Sequence, residues 1–258
     1  MDAKIAPTDR DFITALARGL ELLQVCGSSE TGLSLAQIAQ RSGLSRGTVR
    51  RFLLTLGALG YVACDGRLYC LTPKVLALGN AYLSSTPLPR VARPFLERIS
   101  RQLNASCSLS ILDGAEIVYV SRVQTGRIMA VDLGVGSRLP AAATAMGRVL
   151  LAALPPDALD TWMRETPLEA YTERTVTDPD TFAALLGRVG RQGYCVVDQE
   201  LEPGLRSIAV PVSSAAGQVV AALNIGAQAA RTSIEELERT CLPVLRTAAL
   251  EMRELLIG

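Results

Sequence analysis

The arginines of residues 41–62, RSGLSRGTVRRFLLTLGALGYV, are the side chains whose type and spacing best suit them to bind another molecule. Arg46, Arg50 and Arg51 lie within six residues, and residues 31–64 contain no Asp or Glu. If this segment is a helix, with 100° of rotation per residue, its apolar side chains lie on the side opposite Arg50 and Arg51; they are Val49, Phe52, Leu53 and Leu56. Guanidinium groups without local carboxylates are suited to phosphates and guanine edges. An ordinary solvated helix face is the alternative interpretation.

Two helices joined by a tight turn would hold these arginines outward. Leu35, Ile38 and Ala39 indicate a short helix that ends near Gly43, where glycine can adopt the left-handed conformation of a sharp turn. Ser45 then caps the next helix by accepting a hydrogen bond from a free amide in its first turn. The pattern predicts a helix-turn-helix, whose second helix enters the major groove of DNA.

A hairpin and a third helix complete the predicted domain. The segment YVACDGRLYCLT has two β-prone runs around Asp65-Gly66, a pair that favours a tight turn. An apolar stripe at helical spacing predicts a further helix before the helix-turn-helix, packed against its two helices. The stripe consists of Phe12, Leu16, Leu20 and Leu23. The sum is a winged helix-turn-helix whose hairpin reaches phosphates. Its predicted DNA-binding residues are Gln37, Ser45, Arg46, Gly47, Thr48, Arg50, Arg51 and Arg67.

Charge and hydropathy restrict the partners of the 258-residue chain. Residues 1–80 carry nine Lys and Arg against six Asp and Glu, a net +3, whereas the remainder carries 17 against 19, a net −2. The basic character therefore lies in the predicted DNA-binding part. No apolar run approaches the roughly 20 residues needed to span a bilayer, and MDAKIAPTDRD lacks the apolar core of a signal peptide. We expect a cytoplasmic protein without membrane association.

The cysteine and histidine counts bear on catalysis. The chain has no histidine, which removes His-dependent triads and the commonest ligands of catalytic zinc. Its six cysteines are scattered without a Cys-x-x-Cys pair, so we expect reduced thiols. A two-residue turn at Asp65-Gly66 would set Cys64 opposite Arg67 and Cys70 opposite Tyr61. Neither a metal nor a cofactor is predicted.

The second half of the chain mixes helices and strands. A helix over Pro73–Ser84 is broken by the prolines of SSTPLPR, an amphipathic helix is predicted over Pro94–Leu103, and a hairpin turns at Asp113-Gly114. Helices are then expected at 146–154, 156–165, 178–192 and 233–256, and strands at 194–198, 207–213 and 219–226. Several hairpins among helices favour an α+β domain with a largely antiparallel sheet.

Particular words of the sequence resemble the IclR family of bacterial transcription regulators. They are FITALARGLELLQ, SLAQIAQRSGLSRGTVRRFLLTLGALGYV, LPAAATAMGRVLLAAL, VVDQELEPGLRSIAVPV and AALNIGA. The resemblance implies an N-terminal winged helix-turn-helix, a linker helix and a C-terminal GAF-like effector-binding domain. The forms ARGLELL, TAMGRVLLA and GLRSIAVPV are similar to the branch that controls protocatechuate and 4-hydroxybenzoate catabolism. The expected divisions are a flexible tail 1–11, the winged helix 12–72, the linker helix and linker 73–88, and the effector domain 89–258.

A pocket for a small carboxylate can also be argued from the residues. Thr144 can cap the helix containing Ala145, Met146 and Gly147, and free amides at a helix start attract anions. Leu133 and Met146 would add apolar walls. The family resemblance further implies that the following residues lie near the ligand: Asp198, Leu205, Ser207, Asn224 and Gly226. Strand residues with ordinary local hydrogen bonds are the alternative for Ser207 and Asn224.

The sequence therefore predicts a ligand-responsive DNA-binding transcription regulator, not an enzyme, of an operon for aromatic-acid catabolism. Its expected partners are a double-stranded DNA operator and a small organic or aromatic carboxylate. The linker helix is expected to pair in a homodimer or homotetramer through Val75, Leu76, Leu78 and Tyr82. Two alternatives remain: an enzyme that uses Asp198 and Glu200 as paired carboxylates on one strand face, and a winged helix used only for protein association.

Overall fold

The computed structural model describes residues 9–125 and 133–256, and the chain forms two compact units that divide between Tyr82 and Leu83. Each unit has its own apolar core. Among the described residues, no helix is long and apolar enough to cross a membrane.

Among the described residues, the N-terminal unit contains three complete helices and a small antiparallel sheet. The helices are α1 (Thr14–Gly27), α2 (Leu35–Ser42) and α3 (Arg46–Ala58). The strands are β1 (Leu33–Ser34), β2 (Val62–Asp65) and β3 (Leu68–Leu71), in the order β1-β3-β2. Val49, Leu53 and Leu56 of α3 are buried in its core, as the apolar face of that helix predicts. The unit is a winged helix-turn-helix.

The packing face of α1 differs from the predicted stripe. Leu22 and Cys26 are buried, whereas Leu16 and Leu20 are 60% and 50% exposed. The spacing of Phe12, Leu16, Leu20 and Leu23 correctly indicates a helix, but only Leu23 of this stripe packs against the core from α1. Leu22 and Cys26 also have helical spacing, four residues apart, so periodicity did not distinguish the two faces.

The turn of the wing lies one residue later than predicted. Asp65 pairs with Leu68, so Gly66 and Arg67 occupy the central positions of the turn. Gly66 has φ of +61°, a left-handed conformation that suits glycine. Because of this shift, the two wing cysteines lie opposite Tyr69 and Ala63, and not opposite Arg67 and Tyr61.

Helix α4 (Leu76–Ser85) follows a 3-10 turn at Pro73–Val75, and α5 (Pro87–Leu103) begins two residues after it. The predicted helix start at Pro94 is therefore seven residues late, since Pro94 lies inside α5 and Pro87 occupies its first position. Proline is well accommodated in a first turn, where its missing N–H has no helical partner. The expected boundary between residues 88 and 89 falls within this helix.

The C-terminal unit is built on one six-stranded antiparallel sheet in the order β6-β5-β4-β9-β8-β7. In chain order its strands are β4 (Ser106–Asp113), β5 (Glu116–Val123), β6 (Arg138–Pro140), β7 (Cys195–Asp198), β8 (Leu205–Ser213) and β9 (Val219–Gln228). The helices are α6 (Ala145–Leu151), α7 (Pro156–Glu165), α8 (Pro179–Gln192), α9 (Ile234–Glu236) and α10 (Leu242–Leu255), and a π-helical turn at Leu237–Cys241 joins the last two.

Helices cover both faces of this sheet. Ile208 and Val210 of β8 are buried in a cluster with α5 and α10, while Ala209 between them is buried in a second cluster with α6 and α8. Successive strand residues point to opposite faces, so both faces of β8 are buried. The mixed architecture confirms the predicted α+β class, and the α6 face carries the pocket described below.

Candidate nucleic-acid interface and ligand pocket

Helix α3 begins at a side-chain cap and exposes its cationic face to solvent. The Ser45 hydroxyl accepts a hydrogen bond from the Thr48 backbone N–H at 3.2 Å. Gly43, with φ of +67°, ends α2 just before this cap. With Val49 buried, Arg46, Gly47, Arg50 and Arg51 are left exposed.

The exposed arginines of α3 are not neutralised by carboxylates among the described residues. In the two ranges that the structure describes, neither Arg46, Arg50 nor Arg51 forms an ion pair with a carboxylate. Arg67, in the turn of the wing, is also exposed and has no ion pair there. A cationic helix face without paired carboxylates, beside a hairpin that exposes Arg67, is suited to the phosphates and base edges of duplex DNA.

Other residues of the predicted interface are engaged within the protein. Gln37 completes a capping box, since its Oε1 accepts from the Ser34 backbone N–H at 2.9 Å. The hydroxyls of Ser45 and Thr48 lie 2.9 Å apart and bond to each other. These three side chains help to position the two helices. The Ser45 cap was predicted from the sequence, whereas Gln37 and Thr48 were predicted only as DNA contacts.

Cross-strand neighbours form the floor of a pocket on the C-terminal unit. Ser108 of β4 lies opposite Arg122 of β5 on one side and opposite Asn224 of β9 on the other. Directly paired residues share one face of a sheet. A second row two residues further along comprises Ser106, Gly226 and Ser207. The small residues of both rows leave room above the sheet, and all six residues line the pocket.

One wall of the pocket is the start of α6. Thr144 caps this helix by accepting the Gly147 N–H at 3.1 Å, as predicted, and Thr144, Ala145 and Met146 line the pocket. Gly147 itself packs on the preceding backbone, because a Cβ at this position would lie 2.1 Å from the Ala141 carbonyl oxygen. Only glycine allows this approach.

Two buried polar atoms in the pocket have unfilled hydrogen-bonding capacity. They are Arg122 Nε and Asn224 Oδ1, the two such side-chain atoms without a partner among the described residues. The Arg122 Nη1 donates to the Ser108 hydroxyl at 3.1 Å, and its guanidinium lies 5.6 Å from the centre of the Tyr119 ring. Burial raises the pKa of Tyr119 to about 12 although Arg122 opposes this shift, so the phenol stays neutral at pH 7 and does not neutralise the arginine. The pocket thus presents a cationic donor and a neutral acceptor.

The structure brings most of the predicted ligand residues together. Those that line the pocket are Thr144, Ala145, Met146, Leu205, Ser207, Asn224 and Gly226. Leu133 instead belongs to the adjoining apolar core, and Gly147 packs on Ala141. Asp198 is not among the lining residues, and its two oxygens pair with Arg174 and Arg206.

Sequence reasoning missed Arg122, Tyr119 and the serines of β4. The alternating serines of SCSLSILD, together with a strand arginine in SRV, were the available signal. Their meaning depends on the β4–β5 register, which shifts between Leu109 and Ser110 and which no pattern in the sequence specifies.

The proposed carboxylate pair of the enzyme alternative is not assembled. Strand β7 ends at Asp198, and Gln199 has φ of +61°, so Glu200 does not continue the strand. Glu200 forms a buried ion pair with Arg148 at 2.6 Å, whereas Asp198 pairs with Arg174 and Arg206. The expectation that the two carboxylates project from one strand face was therefore wrong.

A winged helix-turn-helix with a free cationic face, followed by a unit with a small polar-lined pocket, defines a DNA-binding regulator with a ligand-binding domain. Comparison with protein families agrees: the IclR helix-turn-helix domain matches residues 15–66, and the bacterial transcriptional regulator IclR C-terminal domain matches residues 80–253. The chain belongs to the IclR family of bacterial transcription regulators.

Individual relatives match nearly the whole chain. The Pca regulon regulatory protein of Pseudomonas putida is 49% identical over 251 residues, which cover 97% of this chain and 86% of that protein. A crystal structure of a protein from Rhodococcus sp. RHA1 is 48% identical with a TM-score of 0.82, covering 95% of this chain and 98% of that one. The inducer-binding domain of the PobR transcription factor from Acinetobacter, a double mutant in complex with 3-hydroxybenzoic acid, is 37% identical with a TM-score of 0.62, covering 65% and 98%.

Proposed function

We propose that the protein is a ligand-responsive transcription regulator, without enzymatic activity, of an operon for the catabolism of hydroxylated aromatic acids. The similarity to a Pca regulon regulatory protein and to a PobR domain bound to 3-hydroxybenzoic acid supports the pathway. One observation carries the proposal: Arg122 Nε and Asn224 Oδ1 lie in the same pocket, and neither atom has a hydrogen-bond partner among the described residues.

The polar atoms specify a ligand with two different groups. A buried guanidinium N–H without a partner is best satisfied by an anion, and a planar carboxylate matches its geometry. A lone amide oxygen requires a donor, which a phenolic hydroxyl provides. The apolar side chains of Met146, Leu139 and Leu205 suit a ring between these groups. A hydroxybenzoate carries all three features.

We assign the carboxylate to Arg122 in preference to the helix start at Thr144. Helix α6 has seven residues, and one of its first free N–H groups is already bonded to the Thr144 hydroxyl. Arg122 offers a full positive charge and an unused donor. Ser108, which accepts from the same guanidinium at 3.1 Å, holds the arginine in place.

Calorimetric titration with 4-hydroxybenzoate and protocatechuate tests the assignment. Arg122→Met keeps the apolar stem of the side chain but removes the charged guanidinium, and we expect affinity to fall about tenfold to a hundredfold, because the buried ligand carboxylate loses a charged partner. Arg138→Met is the matched control, since Arg138 lies on the neighbouring strand and pairs with Asp113 and Glu116 at the surface. Equal losses in both variants, or unchanged affinity in Arg122→Met, would contradict the assignment.

The role of Asn224 has a separate test. Asn224→Ala is expected to weaken 4-hydroxybenzoate binding about tenfold to a hundredfold, because the ligand hydroxyl is then buried without an acceptor. Benzoate lacks that hydroxyl, so its affinity should change much less. If both acids lose affinity equally, Asn224 does not recognise the hydroxyl. If wild-type protein binds no carboxylate, the proposed effector class is wrong.

The DNA operator and the assembly complete the proposal. The exposed arginines of α3 and Arg67 of the wing are proposed to contact the operator, in the cytoplasm, and two copies of the chain are proposed to read half-sites related by symmetry. Exposed Leu76 and Leu78 on α4 support self-association into a homodimer, which can pair again into a homotetramer.

A further inference from the structure

The pocket is too small for the ligand class proposed above. Its cavity volume is about 40 Å³, which holds a few water molecules, whereas a cavity of roughly 150 Å³ is known to accept benzene. A hydroxybenzoate is larger than benzene. Some wall of the pocket must therefore lie further out when an aromatic acid is bound.

The floor and the α6 wall are poorly suited to move. The floor belongs to strands β4, β5, β8 and β9, which are hydrogen-bonded to one another through their ladders. All seven residues of α6 are buried. The backbone at Gly147 already contacts Ala141, and dense packing on every side of a helix opposes its displacement.

The loop of residues 199–204, between β7 and β8, forms a further wall, beside the buried Ala143 and the half-buried Leu139 of β6. Leu201 lines the pocket from this loop and is only half-buried. Pro203 and Gly204 are exposed. The loop begins and ends at residues with left-handed backbone conformations, Gln199 with φ of +61° and Gly204 with φ of +82°. Such loop-end residues are positions at which a segment can change direction.

One buried ion pair ties this loop to α6. Both terminal nitrogens of the Arg148 guanidinium, Nη1 and Nη2, donate to the Glu200 carboxylate at 2.6 Å, and Arg148 is 1% exposed. Arg148 Nε also donates to the Ala142 carbonyl at 2.7 Å, and the Val176 N–H donates to Glu200 at 3.0 Å. A bidentate pair with these additional bonds has one preferred geometry.

Two hydroxyls fasten the backbone of the same loop. Thr172 donates to the Gln199 carbonyl at 2.7 Å, and Thr175 donates to the Glu200 carbonyl at 2.6 Å. These contacts and the ion pair all act on Gln199 and Glu200, at the N-terminal end of the loop. At the C-terminal end of the loop, the Gly204 N–H donates to Gln199 Oε1 at 3.0 Å, and the Gly204 carbonyl accepts from the Ala229 N–H at 2.8 Å.

We propose that the loop of residues 199–204 is the wall of the effector pocket that moves outward to admit a ligand, and that the Arg148–Glu200 ion pair holds it closed in the free protein. The proposal rests on the proposed function in that the ligand is an aromatic acid. Arg148 and Glu200 are positioning residues, since neither lines the pocket. Weakening the tie makes the open loop more populated, so effector binding becomes faster and tighter. A purely structural ion pair would have the opposite effect when weakened, because the pocket would lose its shape.

Hydrogen exchange of the ligand-free protein tests the motion. The backbone N–H groups of Gln199, Gly204 and Leu205 are all bonded within the loop region. In Glu200→Gln we expect these amides to exchange at least about threefold faster than in wild type, while the amides of Ile208, Val210 and Val212 in β8 keep their rates. Thr172→Val removes one loop tie without leaving a buried charge, and it should give a smaller increase of the same kind. Unchanged loop exchange in both variants would overturn the proposal, as would equal acceleration in β8.

A second test measures the association rate of 4-hydroxybenzoate by stopped flow. Glu200→Gln is expected to raise the association rate at least about threefold. Leu201→Ala removes the side chain with which the loop lines the pocket, so Glu200→Gln should add little to the association rate in that background. Leu139→Ala is the control, because it shortens a half-buried lining leucine of β6 instead. In that background Glu200→Gln should keep its full effect. Slower association in Glu200→Gln, or full additivity with Leu201→Ala, would overturn the proposal. Absence of binding in wild type contradicts the proposed function, while loop exchange still decides whether the loop opens.

Discussion

At the scale of single residues, the neutral Tyr119 beside Arg122 gives the protein a measurable alkaline sensitivity. The buried phenol has its pKa raised to about 12, whereas an unfolded tyrosine titrates near 10. Below pH 10 the ring is neutral in both states. Between pH 10 and 12 only the unfolded chain releases the proton, so stability falls by about 1.4 kcal/mol per pH unit.

Urea denaturation of wild type and Tyr119→Phe from pH 9 to pH 11.5 measures this effect. The free energy of unfolding of the variant should fall less steeply above pH 10, because phenylalanine has no proton to lose. The buried thiol of Cys195, whose pKa burial raises to about 11, adds a slope of the same sign that both proteins share. Identical slopes above pH 10 would show that Tyr119 is not protected from ionisation.

The residue scale is also where sequence reasoning was least complete. Thr144 was found from its capping position at the start of a predicted helix, and Asn224 because it stands in a word that resembles the family. Arg122 was missed, because its position in the pocket depends on its pairing with Ser108, a contact between strands on either side of a hairpin. Asp198 was placed near the ligand, but it pairs with Arg206, its neighbour on the adjacent strand β8, and with Arg174, 24 residues before it, and neither pairing has a periodic signal in the sequence.

At the scale of elements, the start of α6 is predicted to depend on one glycine. In Gly147→Ala the new Cβ would lie 2.1 Å from the Ala141 carbonyl oxygen, so the helix or the preceding segment must shift, and we expect a loss of at least about 2 kcal/mol in the free energy of unfolding. Gly187→Ala in α8 is the control. There the nearest atom is the flexible end of Arg191 at 3.5 Å, and a helix interior favours alanine over glycine by about 0.5–1 kcal/mol.

Denaturation curves of the two glycine variants should therefore shift in opposite directions. A stabilised Gly147→Ala would mean that the approach of α6 to Ala141 is looser than the structure indicates.

Helix α3 carries a second prediction at this scale. Arg50→Ala with Arg51→Ala should weaken operator binding by about 1–3 kcal/mol for each arginine that reads a base, and should make binding less salt-dependent for each arginine that neutralises a phosphate. Arg188→Ala with Arg191→Ala removes the same charge from exposed positions of α8 and controls for net charge. Fluorescence anisotropy at several salt concentrations measures both, and equal weakening in the two double variants would contradict a specific role for α3.

The elements themselves were largely predictable. Helix α3 follows from its apolar spacing and the Ser45 cap, and α7 was predicted with its observed bounds. The errors concern edges and faces: both hairpin turns lie one residue later than the Asp-Gly pairs indicated, and α5 starts before its internal proline. These details depend on tertiary packing, which local propensity does not contain.

At the scale of the whole molecule, the exposed apolar side chains predict self-association. Leu76 and Leu78 of α4 are 70% and 53% exposed, and Leu16 and Leu20 of α1 are exposed in the same unit. Leu76→Glu with Leu78→Glu should shift the protein towards a monomer at micromolar concentration in analytical ultracentrifugation, because charges would be buried in the interface. Leu250→Glu, at a 64% exposed position of α10, tests whether any added charge has this effect. A wild-type monomer would refute the expected dimer.

The pairing of β4 with β9 determines when a newly made chain becomes responsive. Ser106 lies opposite Gly226, so the centre of the sheet cannot form until the ribosome has delivered the chain as far as β9. The N-terminal unit ends at Tyr82 and has its own core, so it can fold first. At about 5–20 residues per second, roughly 7–30 s of synthesis separate the two events. During that interval a nascent chain carries a folded helix-turn-helix unit but no complete ligand pocket.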